Sequence, residues 1–188
     1  MTLFLKKLSF LALTLILFPF AIQAQQPPAP TAQIEAMKRM QLMVGEWEGG
    51  GWIEFGPGKK LEFTGHESIQ PKTNGTTLLV QGLHKSKSDG KTPERVIHDA
   101  LAIISFNEKE KAYRMKACLA SGAQTDAVIS ITETGAMQWG LPDNRGGQIR
   151  YTITIAEKAT WNEVGEYSMD GKTWRKFFEM NLKHKGTN

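Results

Sequence analysis

A glutamate occupies the apolar face of a predicted strand, where ionisable side chains are uncommon. In the segment 61–69 (LEFTGHESI), strand alternation puts Glu67 on the same face as Leu61 and Phe63. The adjacent His66 falls on the opposite face and cannot pair with it. Burial raises the pKa of a carboxyl group, so Glu67 could donate a proton or hold the polar group of a ligand. A shifted strand register or an ion pair would explain the pattern without a ligand.

A histidine has a comparable position on a second predicted strand. His98 shares a face with Ala100 and Ala102, whose small side chains leave space above the sheet. It could therefore line a cavity, or it could be a hydrogen-bonded histidine of the core or rim. His84 raises the same question more weakly.

Two pairs of titratable residues would support acid–base catalysis if the fold brought them together. These pairs are Glu67 with His98 and Glu163 with Glu166. Glu163 and Glu166 have opposite strand parity, which disfavours the second pair. The sequence contains no Gly-x-Ser-x-Gly motif, phosphate-binding loop or dinucleotide fingerprint. A binding role is therefore favoured over an enzymatic one, and catalysis is kept as an alternative.

Metal-binding motifs are absent from the sequence as well. The four histidines have no short spacing, and the single cysteine, Cys118, is remote from them. We therefore expect no metal site, and these motifs indicate no cofactor.

Alternation of apolar and polar residues dominates the chain after residue 45. In the segment 148–155 one face carries Tyr151 among isoleucines, and in the segment 174–184 one face carries Phe178. Turn signals such as Asn74-Gly75 separate such runs, which gives about ten strands joined as an antiparallel meander. An open sheet of that size would expose two edges. We therefore predict an all-β, up-and-down closed barrel.

A barrel of about ten strands leaves room inside for a small ligand. Five tryptophans and nine phenylalanines supply aromatic groups for its core or its cavity wall. The candidate ligand-binding residues are Glu67, His98, Trp47, Tyr151 and Phe178. The expected partner is a small hydrophobic or amphipathic molecule.

The first residues have the pattern of an export signal. Lys6 and Lys7 precede an uncharged run that ends in small residues, so we expect a signal peptide over 1–24 with cleavage after Ala24. The apolar run is shorter than the ~20 residues that span a bilayer, so no stable membrane anchor is expected after cleavage. A proline-rich tether over 25–33 and a barrel domain over 34–188, beginning with one short helix, would follow. The expected location is periplasmic or secreted.

Composition excludes several other classes of protein. The chain has 188 residues with a formal net charge of +4, which suits one globular domain. Its lysines gather at predicted turns, a pattern typical of solvated surface rather than of a nucleic-acid track. The sequence says nothing about the oligomeric state.

Two stretches of the sequence resemble known barrel proteins. The segment 42–49 (LMVGEWEG) resembles the entry to the first strand of calycin barrels, the group of lipocalins and fatty-acid-binding proteins. That resemblance implies that Trp47 closes one barrel end beneath a basic residue of the last strand, either Arg175 or Lys183. The segment 161–180 resembles the end of a bacterial calycin-like family without assigned function, whose members are often exported.

Haem binding is a weaker possibility suggested by a second resemblance. Nitrobindin, a haem-binding calycin, has a histidine ligand near the end of its last strand, and His184 lies near the end of this chain. The rest of the nitrobindin pattern is not matched. Three hypotheses follow: an exported carrier, a barrel enzyme that uses a carboxylate and a histidine (an isomerase or hydrolase), and a filled envelope module for structure or interaction.

Overall fold

A computed structural model describes residues 30–88, 90, 92–143, 146–156 and 160–186. The predicted signal peptide and residues 25–29 of the predicted tether lie outside this part of the chain. The described chain opens with α1 (Thr31–Met37), which continues as a 3-10 helix over Lys38–Met43. The predicted short helix before the barrel is confirmed, and it begins at Thr31, three residues before Ile34, and tightens at Lys38.

Ten strands follow the helices, and every neighbouring pair is antiparallel. They are β1 (Gly45–Glu54), β2 (Lys60–Lys72), β3 (Thr77–Ser86), β4 (Val96–Asn107), β5 (Ala112–Leu119), β6 (Gln124–Ile131), β7 (Met137–Pro142), β8 (Gln148–Ala156), β9 (Thr160–Ser168) and β10 (Arg175–Lys185). Each strand pairs with its neighbours in the chain, and β1 pairs with β10 to close the barrel. The predicted all-β, up-and-down closed barrel is therefore confirmed.

The helices cap one end of the barrel. Met37, Met40 and Met43 are buried there against the start of β1. The indole Nε1 of Trp47 donates a hydrogen bond to the carbonyl oxygen of Met43 over 2.7 Å, which ties the cap to the first strand. This is the capped end, and the end where β1 finishes is the opposite end. Among the described residues, no helix has the length and apolar character needed to cross a membrane.

Three consecutive glycines, residues 49–51, lie in β1 between β2 and β10. The register of β1 with both neighbours is continuous, so the glycines form no bulge. A Cβ atom at Gly50 would lie 2.5 Å from the carbonyl oxygen of Phe63, and Cβ atoms at Gly49 and Gly51 would clash with backbone of β10. The missing side chains therefore allow three backbones to approach closely where the barrel closes.

This close approach predicts that Gly50→Ala destabilises the barrel. The added methyl group must displace the backbone of β2, so we expect a loss of about 2 kcal/mol or more in the free energy of unfolding. Urea denaturation followed by circular dichroism measures this loss. Gly56→Ala is the matched control, because nothing lies within 4 Å of a Cβ atom at that position. Equal stability of the two variants would contradict the packing argument.

Candidate functional site

A cavity of about 430 Å³ occupies the barrel interior. It extends from Met43 at the capped end to the exposed Ala123 and Gln124 at the opposite end. Small side chains on adjacent strands leave this space, notably Ala100, Ala102 and Ala117. The remaining wall is mostly apolar, with Val80, Ile104, Met115, Ile129, Met137, Leu141 and Ile153 among the lining residues.

Glu67 lies on the cavity wall and is hydrogen-bonded to His84. Its side chain is almost fully buried, and its Oε1 is 2.9 Å from Nε2 of His84. The carboxyl group lies over Gly82 of the neighbouring strand, where a Cβ atom would be 2.7 Å from Oε1. Gly82 therefore makes room for the carboxyl group against the wall.

Burial shifts the pKa values of Glu67 and His84 in opposite directions. It raises the pKa of Glu67 to about 8, although the nearby His66 partly opposes the shift. It lowers the pKa of His84 to about 4. Burial therefore favours the neutral form of each partner, and the hydrogen bond joins Oε1 of Glu67 to Nε2 of His84.

A second carboxyl group, that of Glu163 on β9, lines the same cavity. Burial is the main cause that raises the pKa of Glu163 to about 8, and the negative charge of Glu67 adds to the shift. Trp161 acts in the opposite direction on the pKa of Glu163, because its indole N–H favours the carboxylate. That indole Nε1 is buried without a hydrogen-bond partner of acceptable geometry in the described residues. The cavity thus holds two acids, of which Glu67 has a hydrogen-bond partner in His84.

Aromatic rings line the same cavity as the two acids. Trp139 and Tyr151 line the cavity and stack with ring centroids 4.5 Å apart. Burial, together with the charge of Glu163, raises the pKa of Tyr151, so its phenol is neutral. The ring of His98 also lines the cavity and lies 4.8 Å from the ring of His84. Burial lowers the pKa of His98 to about 4, so this imidazole is neutral too.

The structure brings together three of the five predicted ligand-binding residues. Glu67, His98 and Tyr151 line the cavity, whereas Trp47 and Phe178 are buried beside it and are not part of its wall. The hydrogen bond from its indole to Met43 holds Trp47 at the capped end of the barrel. Phe178 stacks on Phe63 with ring centroids 5.7 Å apart and fills the interior beside β2.

The prediction that Arg175 or Lys183 packs over Trp47 is corrected. Arg175 begins β10 at the opposite end from Trp47, where its guanidinium lies 3.7 Å from a carboxylate oxygen of Glu54. Lys183 is exposed on the outer surface. His184 covers Trp47 instead, with ring centroids 4.8 Å apart, because β10 runs antiparallel to β1.

The structure also places the histidine considered for haem. The Nε2 atom of His184 is 3.3 Å from the carbonyl oxygen of Val44 at the capped end. His184 does not line the cavity. Its position gives no support to haem ligation inside the barrel. Among the described residues, no group of three or more histidine, cysteine, aspartate or glutamate side chains could hold a metal ion.

Sequence reasoning missed the grouping of Glu163 with Glu67. The alternation of Trp161, Glu163 and Gly165 would have placed Glu163 on the inner face. The pair of Glu163 with Glu166, which strand parity disfavours, is not formed, because Glu166 lies outside and binds Arg150 over 2.7 Å. The pair of Glu67 with His98 that the enzyme alternative requires is not hydrogen-bonded either, because the partner of Glu67 is His84.

Comparison with known proteins supports the fold alone. No family model matches the chain, and no curated protein matches it. Among solved structures, an S-type phycobiliprotein lyase from Guillardia theta matches with a TM-score of 0.54 and 8% sequence identity. The match covers 86% of this chain and 99% of that chain. The chain therefore has a calycin-like barrel fold, and the identity is too low to transfer an activity.

The buried titratable groups predict that the barrel loses stability between about pH 6.5 and 8. In that window the unfolded chain has released the protons of Glu67 and Glu163, whereas the folded barrel still holds them because both pKa values are about 8. The free energy of unfolding should therefore fall by about 1.4 kcal/mol per pH unit for each retained proton. Below pH 6.5 the lowered pKa values of His84 and His98 act in the opposite direction, which flattens the profile.

Urea denaturation at a series of pH values measures this slope. Glu163→Gln should reduce it by removing one titrating group, whereas Glu166→Gln, on the outer face, should leave it unchanged. Identical slopes in the wild type and Glu163→Gln would show that Glu163 ionises normally in the folded barrel.

Proposed function

We propose that this protein binds a small, largely apolar molecule inside its barrel. The observation that carries the proposal is the cavity of about 430 Å³, which reaches the barrel end opposite the helical cap. That volume lies within the range of roughly 300–1,000 Å³ that is typical of small-molecule sites. A filled structural barrel would not leave such a space, because protein interiors pack closely.

The chemistry of the wall supports an amphipathic ligand. Apolar side chains and the stacked rings of Trp139 and Tyr151 supply hydrophobic contact area. Glu67 and Glu163 are the polar groups that would orient the molecule deep in the cavity. A few polar groups within an apolar wall are the usual composition of a binding site.

Binding is supported better than catalysis. An acid–base enzyme needs two titratable groups that reach the substrate with usable proton affinities. The imidazole bonded to Glu67 is that of His84, which is buried behind the wall and has a lowered pKa of about 4. His98 does line the cavity, but its pKa is lowered to about 4 as well. The two histidines are therefore poor general bases near neutral pH.

Binding can be tested with phenylnaphthylamine, a neutral dye whose fluorescence rises in apolar surroundings. Titration of the wild type should give saturable, one-to-one binding. Ala102→Phe should abolish that signal or weaken it at least about tenfold, because the new ring occupies the cavity.

The matched control is Ile103→Phe, which adds a ring at the next residue of β4. Ile103 is exposed on the outer face, so this variant should bind the dye like the wild type. Equal binding by all three proteins would show that the dye binds elsewhere and would contradict the proposed cavity site. Circular dichroism establishes that both variants are folded.

We also propose that the protein is exported and is a member of the bacterial calycin-like family that the segment 161–180 resembles. The charged start, the short apolar run and the small residues before Gln25 support cleavage after Ala24. Expression of the full chain in a Gram-negative host, followed by fractionation and intact-mass measurement, tests the export. The expected product is a periplasmic chain that begins at Gln25, and an uncleaved chain in the cytoplasm would overturn the proposal.

A further inference from the structure

We infer that the cavity binds an apolar amine, with its ammonium group between the carboxyl groups of Glu67 and Glu163. The apolar part of the molecule would lie against Trp139 and Tyr151. This inference deepens the proposed function and rests on it, since it names the chemical class of the ligand.

The first support is that the cavity wall carries acidic side chains without basic ones. Glu67 and Glu163 both line the cavity, and no lysine or arginine is among the described residues that line it. Neither carboxyl group forms an ion pair with a described lysine or arginine. The potential acceptors of the interior therefore lack a cationic partner within this part of the protein.

The second support is the position of the two acids relative to each other. Glu67 is on β2 and Glu163 is on β9, and only β1 and β10 separate these strands around the barrel. The charge of Glu67 reaches Glu163 strongly enough to disfavour its ionisation. A cation between the two groups favours the ionised form of one of them, because the resulting carboxylate is attracted to the ammonium group.

The third support is the aromatic wall beside the acids. Trp139 and Tyr151 present stacked rings to the same cavity. Faces of such rings attract cations and also contact apolar surface. The same surroundings disfavour a fatty acid, because a carboxylate ligand would be buried near two acids without a basic residue.

The other titratable groups described around the two acids are three histidines and a tyrosine. His84 on β3 contacts Glu67, His98 on β4 and Tyr151 on β8 line the cavity, and His66 lies on the outer face of β2. Both inner imidazoles and the phenol are neutral near pH 7, as their shifted pKa values require. They therefore supply no cation that could pair with an ionised Glu67 or Glu163 near pH 7.

The binding step has a defined proton balance. Below about pH 8 the empty cavity holds both carboxyl groups in their protonated forms. An ammonium ion that enters displaces one of these protons to solvent, and no covalent bond changes in the ligand. The affinity should consequently rise about tenfold per pH unit up to about pH 8.

Isothermal titration calorimetry with three probes tests the inference. Naphthylmethylamine, naphthylmethanol and naphthoic acid share one apolar body and differ in charge. We expect the amine to bind at least about tenfold more tightly than the alcohol near pH 8, and the acid to bind least tightly. Titration of the amine in two buffers of different ionisation enthalpy should reveal release of about one proton near pH 7.

Variants with matched controls identify the groups involved. Glu163→Gln and Glu67→Gln should each weaken binding of the amine about tenfold or more, and should weaken binding of the alcohol by a clearly smaller factor. The controls Glu166→Gln and Glu62→Gln remove carboxylates from the outer faces of the same strands and should have no effect. Retained binding of the alcohol shows that each variant still has an intact cavity.

The possible failures are distinguishable. If the alcohol binds one-to-one and the amine binds no more tightly, the inference is overturned while the proposed function stands. If phenylnaphthylamine and all three naphthyl probes fail to bind the folded wild type, the proposed function is overturned as well. Equal weakening of the amine by inner and outer variants would show a general charge effect and would also overturn the inference.

Discussion

Closure of the barrel between β1 and β10 is the constraint on which the rest of the structure depends. Antiparallel pairing of these strands removes both edges of the sheet and turns one of its faces into an interior. The glycines at 49–51 make this possible, because side chains there would collide with the backbones of β2 and β10. An interior enclosed by a continuous sheet can then hold ionisable groups largely away from water, as it does Glu67 and Glu163.

The interior is divided into a packed part and an empty part. Phe63, Phe178 and His84 stack beside β2 and β3, where they fill the space in front of those strands. On the next strands around the barrel, β4 and β5, alanines leave the space that becomes the cavity. This asymmetry places Glu67 at the boundary, with one side bonded to His84 and the other facing the cavity.

Much of this arrangement could be predicted from local sequence pattern, because strand alternation depends only on neighbouring residues. The fold class and the inward faces of Glu67 and His98 followed from it. The grouping of Glu67 with Glu163 did not, because these residues are almost one hundred positions apart and approach only when β1 pairs with β10. The position of Arg175 could also have been predicted, since antiparallel strands put the start of β10 at the opposite end from Trp47.

The cost of burying two acids also bears on function. Packing alone would be served better by apolar side chains of similar size, because an unpaired buried carboxyl group lowers stability at neutral and higher pH. Glu67 recovers part of that cost through His84, whereas Glu163 has only the poorly oriented indole N–H of Trp161 nearby among the described residues. Glu163 therefore lies on the cavity wall, where the proposed ligand could pair with it. A group that is costly in the empty barrel and compensated in the occupied one couples ligand binding directly to stability.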